Sequence, residues 1–402
     1  MHRNRPLLAI SLTVCMAATG LGLVLPVRVL YARSHGASLA IIGAMASSYL
    51  LSNFLFQYPT GVLADRFGRK RVMAIGLVVQ AVVSIAYLAV TNPVLFVVLR
   101  FFEGMVAAST LPAARALVAD IVPAEQRGRA YGIFGSWFNA GFLLGPALGG
   151  LFASRGYALP FIAAGAMRLL AVVIVALLVP AGQERHPRER ARASAVPRRA
   201  LFSLPLVGSY LLVFGDYLWI GFDITLVPLW MRNHLGASVA VIGLAYAVWA
   251  VPNVIGSPFG GRVADRLRRS RVILTLGLAQ VPMYLAYGLS SAIGPVIVVF
   301  ALHGAVYAFM QPSVDANLAA ASPPDARART QGLYSTIGIA SSFLAANLFT
   351  LLYAINFRLP LFVMGALFGL CVIAGGSLIR LSEQRGLVPG GRPATPAVEA
   401  AG

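Results

Sequence analysis

The sequence predicts an all-α polytopic membrane protein of twelve transmembrane helices in two six-helix halves. Three observations predict it: the composition, the length of the apolar runs, and an internal repeat. Hydrophobic residues make up 58% of the 402 and charged residues 11%, against about 25% charged in a soluble domain. Apolar runs of roughly 18 to 25 residues recur from end to end, each able to cross about 30 Å of hydrocarbon. The ten-residue alternating segments of a membrane barrel are absent. The stretch HGASLAIIGA before the second run returns as LGASVAVIGL before the eighth.

In chain order the runs are 8–30, 39–61, 72–91, 94–116, 129–153, 157–179, 206–230, 239–261, 272–291, 294–316, 328–353 and 358–380. The N-terminus has the look of a signal peptide, but its apolar run continues to Leu30 without a small-x-small cleavage site. It is expected to remain as the first helix.

At one fixed offset Gly61, Ala64, Asp65, Arg66, Arg69 and Arg71 fall on Gly261, Ala264, Asp265, Arg266, Arg269 and Arg271. Gly104, Pro112, Arg127 and Gly132 likewise fall on Gly304, Pro312, Arg327 and Gly332. The repeat is parallel, so a pseudo-two-fold axis along the membrane normal relates the halves. Residues 1–180 are the first half and 206–382 the second. Between them lies a basic, Pro-containing linker, 181–205, and after them a polar tail, 383–402, expected to be disordered.

A net charge of +19 invites a nucleic-acid partner, and its distribution argues against one. The side that holds both termini collects Arg3, Arg5, Arg66, Arg69, Lys70, Arg71 and most of the other basic residues. The opposite side has Arg28, Arg33, Arg155, Arg232 and Arg358, while Arg100 and Arg168 fall within spans. The bias places both termini in the cytoplasm of a multi-pass protein of the cell (inner) membrane. Cys15 and Cys371 lie within apolar runs as small core residues. His2, His35, His186, His234 and His303 make no ligand pattern, and no phosphate-binding Gly loop, HExxH or Gly-x-Ser-x-Gly occurs. No enzyme activity, metal or cofactor is therefore expected.

The loop after the second run reads Gly61-Val-Leu-Ala-Asp65-Arg66-Phe-Gly68-Arg69-Lys70-Arg71. Gly61 would allow close helix approach, and Asp65 could pair with an Arg or a helix N-terminus. In the second copy Arg268 replaces the Gly and Ser270 the Lys. This loop resembles the signature of the major facilitator superfamily, and the resemblance covers nearly the whole chain. It implies the major facilitator fold, a secondary transporter, and a latch role for Asp65 and Arg69, with Asp120 as charge partner. The fifth run carries Gly141, Gly145, Pro146, Gly149 and Gly150, similar to the motif of antiporters of that superfamily. The bland alternative is a Gly-rich packing face bent at Pro146. Leu21-Gly22-Leu-Val-Leu-Pro26 also resembles the twelve-span drug:proton antiporter branch, which implies outward transport.

Three acids lie well inside the runs: Glu103, Asp216 and Asp223. Arg100-Phe-Phe-Glu103-Gly104 resembles the family's Arg-x-x-Gln-Gly pattern with Glu for Gln. Arg100 and Glu103 share a helix face, as a proton-responsive pair or a structural one. His303, equivalent to Glu103, would titrate or be a hydrogen-bonded core residue. Asp216 and Asp223 stand two helical turns apart on one face, and Asp216 is the first candidate for proton coupling. The alternative for Asp223 is a salt bridge with Arg28 or Arg232. Arg168 finds no partner in the sequence.

Candidate cavity residues are Tyr49, Asn53, Trp137, Phe138, Asn139, Tyr217, Tyr246, Trp249, Asn253, Tyr307, Gln311 and Asn347. Aromatic rings with a few amides and acids suit bulky amphiphiles. The reading is a proton-coupled efflux antiporter for drugs or other amphiphiles, expected to be a monomer. Its partners would be a small-molecule substrate, protons and the bilayer, with no nucleic acid. The alternatives are a specific sugar or metabolite exporter, or a lipid flippase of the same fold.

Overall fold

The computed structural model describes residues 5–122, 126–179, 198–323 and 326–388. Most of the expected linker and nearly all of the expected tail lie outside them. The first half consists of α1 (Arg5–Ser34), α2 (Leu39–Phe67), α3 (Arg69–Ala89), α4 (Pro93–Ile121), α5 (Arg127–Ala153) and α6 (Ala158–Leu178). The second consists of α7 (Leu204–Asp223), α8 (Val227–His234), α9 (Val239–Arg266), α10 (Arg269–Leu289), α11 (Ile293–Ala321), α12 (Arg327–Ile355) and α13 (Leu359–Gln384). Eleven of these helices are long and apolar enough to cross a membrane. The twelfth long helix, α5, has 27 residues and packs along α1. Leu151, Leu177, Leu351 and Ile355 stand exposed on the outer surface, as residues that face lipid do.

The helix ends follow from local chemistry. Ser38 and Ser238, the last residues of the repeated GAS, accept at Oγ from the N–H groups of Ile41 (3.2 Å) and Val241 (3.3 Å). They cap α2 and α9 in the same way. Asn92 caps α4 by accepting from the Val94 N–H at 2.9 Å. Gly68 joins α2 to α3 at φ +91°, a backbone region that a side chain strongly disfavours. At the equivalent junction Arg268 sits at φ −60°. The second copy of the motif dispenses with its Gly because its backbone turns differently there.

Helix for helix the two halves follow the repeat, with one departure. The expected seventh run, 206–230, is not one helix. It breaks between Asp223 and Val227. Pro228, at the start of α8, has no N–H and crowds the carbonyl four residues earlier, so the chain stops and restarts. Its counterpart α1 passes through continuously, with Pro26 inside it.

Small residues set the seams. A Cβ on Gly141 would meet the Cys15 carbonyl, on Gly145 the Gly22 Cα, and on Gly149 the Leu23 carbonyl. The glycines of the fifth run therefore press α5 backbone to backbone on α1. Gly150 faces the other way, onto Val239 and Gly243 of α9. One short sequence thus builds both a seam within the first half and a seam between the halves.

Contact between the halves gathers at one end. Gly243 lies against the Pro146 carbonyl, Gly43 against Thr350, and Asn347 Nδ2 donates to Ser47 Oγ at 2.7 Å. Toward the Arg-rich end the same four helices separate. A Cβ on Gly61, Gly132, Gly135, Gly261 or Gly332 would meet nothing within 4 Å. This corrects the expectation that Gly61 serves a close helix contact, since α2 at that level borders an opening. The bundle is closed at one end and open toward the Arg-rich end.

Candidate functional site

The central cavity, of about 340 Å³, lies between α1, α2, α4 and α5 on one side and α7, α9, α10 and α11 on the other. Aromatic rings dominate its wall: Tyr49, Phe142, Trp219, Tyr246, Trp249, Tyr284, Phe300 and Tyr307. The charged side chains on it are Arg28, Arg100, Asp216 and Asp223. An adjoining cavity of about 260 Å³, sharing Leu21 and Tyr49 with the first, is lined by Asn53, Gln80, Glu103, Phe138 and Arg168.

Helix α7 delivers both of its acids to the central cavity. Asp216 accepts from the Tyr307 hydroxyl at 3.3 Å. Asp223, the last residue of α7, has its Oδ1 buried without a hydrogen-bond partner. The break after Asp223 ends α7 at the level of the cavity. Neither alternative salt bridge for Asp223 forms. Arg28 goes to Glu103, and Arg232 donates to the Ala237 carbonyl at 3.3 Å.

The first half contributes a denser charge cluster than the expected pair. Arg100 Nη1 donates to Glu103 Oε2 at 2.8 Å, Arg28 Nη2 to Glu103 Oε1 at 3.3 Å, and the Tyr87 hydroxyl to Glu103 Oε2 at 3.3 Å. The Arg100 guanidinium also lies over the Tyr49 ring, 4.1 Å from its centroid. Arg28 was counted with the loops from its place near the end of the first apolar run. Because α1 continues to Ser34, Arg28 is carried inside and is 5% exposed. Arg168 is buried too, donating from Nη1 to Ser84 Oγ and to the Gln80 carbonyl. Its helix turns this residue inward, toward α1 and α3, which answers the puzzle the sequence posed.

His303 lies on the cavity wall with both ring nitrogens occupied. Nδ1 is 3.1 Å from the Tyr287 hydroxyl and Nε2 is 3.0 Å from Gln280 Oε1. A neutral imidazole satisfies both contacts, as a hydrogen-bonded core histidine does.

The aromatic and amide candidates divide. Tyr246, Trp249 and Tyr307 line the central cavity, and Asn53 and Phe138 the adjoining one. Trp137, Asn139, Tyr217, Asn253 and Gln311 line neither. Tyr217 is taken up by packing on Gly338 of α12, and Gln311 donates to Asp315 at 3.1 Å. Trp219, Tyr284, Phe300 and Arg28 were not among the candidates. Trp219 was within reach of the sequence, because it lies between Asp216 and Asp223 on the same helix face.

At the Arg-rich end the motif around Gly68 is tied to α4. Arg69 Nη1 donates to Asp120 Oδ2 at 2.6 Å and to the Ala116 carbonyl at 3.1 Å, and Arg69 Nη2 lies 3.6 Å from Asp65 Oδ1. Arg66 instead packs over the Phe67 ring. In the second half Glu383 of α13 accepts from the Ser270 N–H (3.0 Å) and hydroxyl (2.5 Å), a different fastening at the equivalent corner.

Two regions, residues 8–223 and 211–401, match the family model of the Major Facilitator Superfamily. The quinolone resistance protein NorA of Staphylococcus aureus is 30% identical over 176 residues, 44% of this chain and 45% of NorA. An uncharacterized MFS-type transporter of Methanocaldococcus jannaschii is 32% identical over 166 residues, 41% of this chain and 43% of that protein. The chain thus matches less than half the length of these relatives. A bacterial homologue of the human lysosomal transporter Spinster, inward-facing and occupied, superposes with a TM-score of 0.72 at 16% identity, over 94% of this chain and 96% of that one. A D-xylose-proton symporter gives 0.72 at 16% identity, over 96% and 98%. The repeat, the loop motif, the fold and these matches agree: the chain belongs to the Major Facilitator Superfamily and is a multi-pass membrane transporter.

Proposed function

We propose that this transporter is a proton-coupled efflux antiporter for amphiphilic organic molecules, in the cell (inner) membrane with its Arg-rich end and both termini in the cytoplasm. The observation that carries the reading is the pair Asp216 and Asp223, set on one face of α7 in an aromatic cavity between the halves. The partial match to NorA, whose name denotes quinolone resistance, supports the outward direction.

The opening toward the Arg-rich end corresponds to the state that loads from the cytoplasm. There Asp216 gives up its proton and the substrate takes the cavity, its rings against Trp219, Trp249 and Tyr307. Closure at the Arg-rich end and separation of the Gly150–Gly243 and Ser47–Asn347 seams then expose the site to the outside. A proton arriving on Asp216 or Asp223 displaces the substrate and permits return. Arg69 with Asp65 and Asp120 weights the balance between the two openings. One proton moving down the membrane potential supplies about 2.3 kcal/mol per 100 mV, a substrate gradient of order fifty-fold.

The test is dye accumulation in energised everted vesicles. Wild type should accumulate a lipophilic dye and lose it when a protonophore collapses the proton gradient, pH difference and membrane potential together. Asp216→Asn/Asp223→Asn should not accumulate it. Accumulation that survives collapse of the gradient, or that the double variant retains, rejects proton coupling through these acids.

A further inference from the structure

The charges on the cavity wall are sorted by half. Among the described residues the first half brings three arginines, Arg28, Arg100 and Arg168, around a single carboxylate, Glu103. The second half presents Asp216 and Asp223, with no ion pair joining them to those arginines. Glu103 already takes hydrogen bonds from Arg28, Arg100 and Tyr87. Arg168 has only a hydroxyl and a carbonyl.

This surplus is buried. Arg28, Arg100 and Arg168 are 5%, 3% and 2% exposed, and the Nε atoms of Arg28 and Arg168 are buried with no hydrogen-bond partner. Guanidinium groups held out of water without counter-charge are strongly unfavourable, and at membrane depth such groups mark ligand or ion paths. The excess is aimed: Arg28 and Arg100 lie on the central cavity, beside Tyr49 and opposite Asp216 and Asp223.

We infer that the substrate carries an anionic group, carboxylate or sulfonate, which the cavity holds against Arg28 and Arg100. A basic or hydrogen-bond-donating end of the same molecule faces Asp216 and Asp223, and its aromatic middle stacks among Trp219, Tyr246 and Trp249. The favoured cargo is a zwitterionic aromatic amphiphile rather than a simple lipophilic cation. The guanidinium fork suits a planar carboxylate bidentately. A permanent cation without an acid would leave the arginine surplus unmatched. For its outward direction this inference rests on the export reading, but its test is equilibrium binding with no gradient, so the two fail independently.

The probes are rhodamine B, which carries a free carboxylate, and its ethyl ester, a cation of nearly the same shape. Binding to the full chain in lipid nanodiscs is followed by fluorescence anisotropy. Wild type should bind the acid about tenfold or more tighter than the ester, the scale of a charge-assisted hydrogen bond. Arg28→Gln should erase that preference by weakening the acid about tenfold or more, while the ester still binds measurably, which reports an intact cavity. Arg28→Lys should keep part of it. Should Arg28→Gln fail to fold, benzenesulfonate must displace the acid from wild type more effectively than the ester. Equal affinity for the two dyes, tighter binding of the ester, binding of neither, or an acid preference that survives Arg28→Gln would overturn the proposal.

Discussion

At the residue scale, the candidate side chains have surroundings that differ in kind. Asp216 and Asp223 line the aromatic cavity beside the Tyr307 and Tyr246 hydroxyls, and in the proposed cycle they exchange a proton with solvent or cargo. Asp216→Asn should cut gradient-driven transport by at least about tenfold while dye exchange at equal pH continues, measured as counterflow in proteoliposomes. His303 is held differently. Replacing it with Ala strips Gln280 and Tyr287 of their buried partner, and should cost about 1–3 kcal/mol of stability, read as a lower thermal midpoint. The pH profile of transport in a folded His303→Gln variant should match wild type. A shifted profile would return His303 to the titrating groups.

At the element scale, the seams and junctions explain why particular motif positions are glycine. Gly149 lies where α5 presses on the Leu23 backbone of α1, so Gly149→Leu must force the two helices apart. Overpacking of this kind costs about 1–3 kcal/mol and should lower the melting temperature in detergent. Gly68 is different, since a Cβ there meets nothing and only its φ of +91° forbids a side chain. Gly68→Ala should therefore impose backbone strain of about 1–3 kcal/mol, loosening the Arg69–Asp120 corner and slowing transport. Arg268→Gly at the equivalent junction should have a far smaller effect, and equal losses in an activity assay of both variants would contradict the distinction. The repeat made this comparison legible in the sequence, as it did the helix order, while the Gly-rich fifth helix was legible from its own small-residue spacing. The break after Asp223 was hidden because 206–230 reads as one long apolar run in spite of its two acids. Only Pro228 marked it, and proline is common in membrane helices. Arg28 was misplaced because the first helix runs on past its apolar stretch to Ser34. The partners of Arg168 stayed hidden because position along a run gives depth but not which face of the helix turns inward.

At the scale of the whole molecule, closure at one end and separation at the other correspond to one of the two states of the proposed cycle. Cysteines at Ser47 and Asn347, in a background with Cys15 and Cys371 replaced by Ser, should cross-link readily and stop transport, with activity returning on reduction. A cysteine at Gly61 should react with a polar thiol reagent supplied from the Arg-rich side, and more slowly once substrate and gradient drive the other state. The central claim is that cargo and protons move in opposite directions through the cavity of Asp216 and Asp223. The most direct measurement is proton flux in proteoliposomes holding a pH-sensitive dye, with an outwardly directed cargo gradient as the sole driving force. The account predicts inward proton movement in wild type, in a fixed ratio to cargo released, and none in Asp216→Asn/Asp223→Asn. Cargo release with no proton movement, or protons leaving together with the cargo, would contradict it.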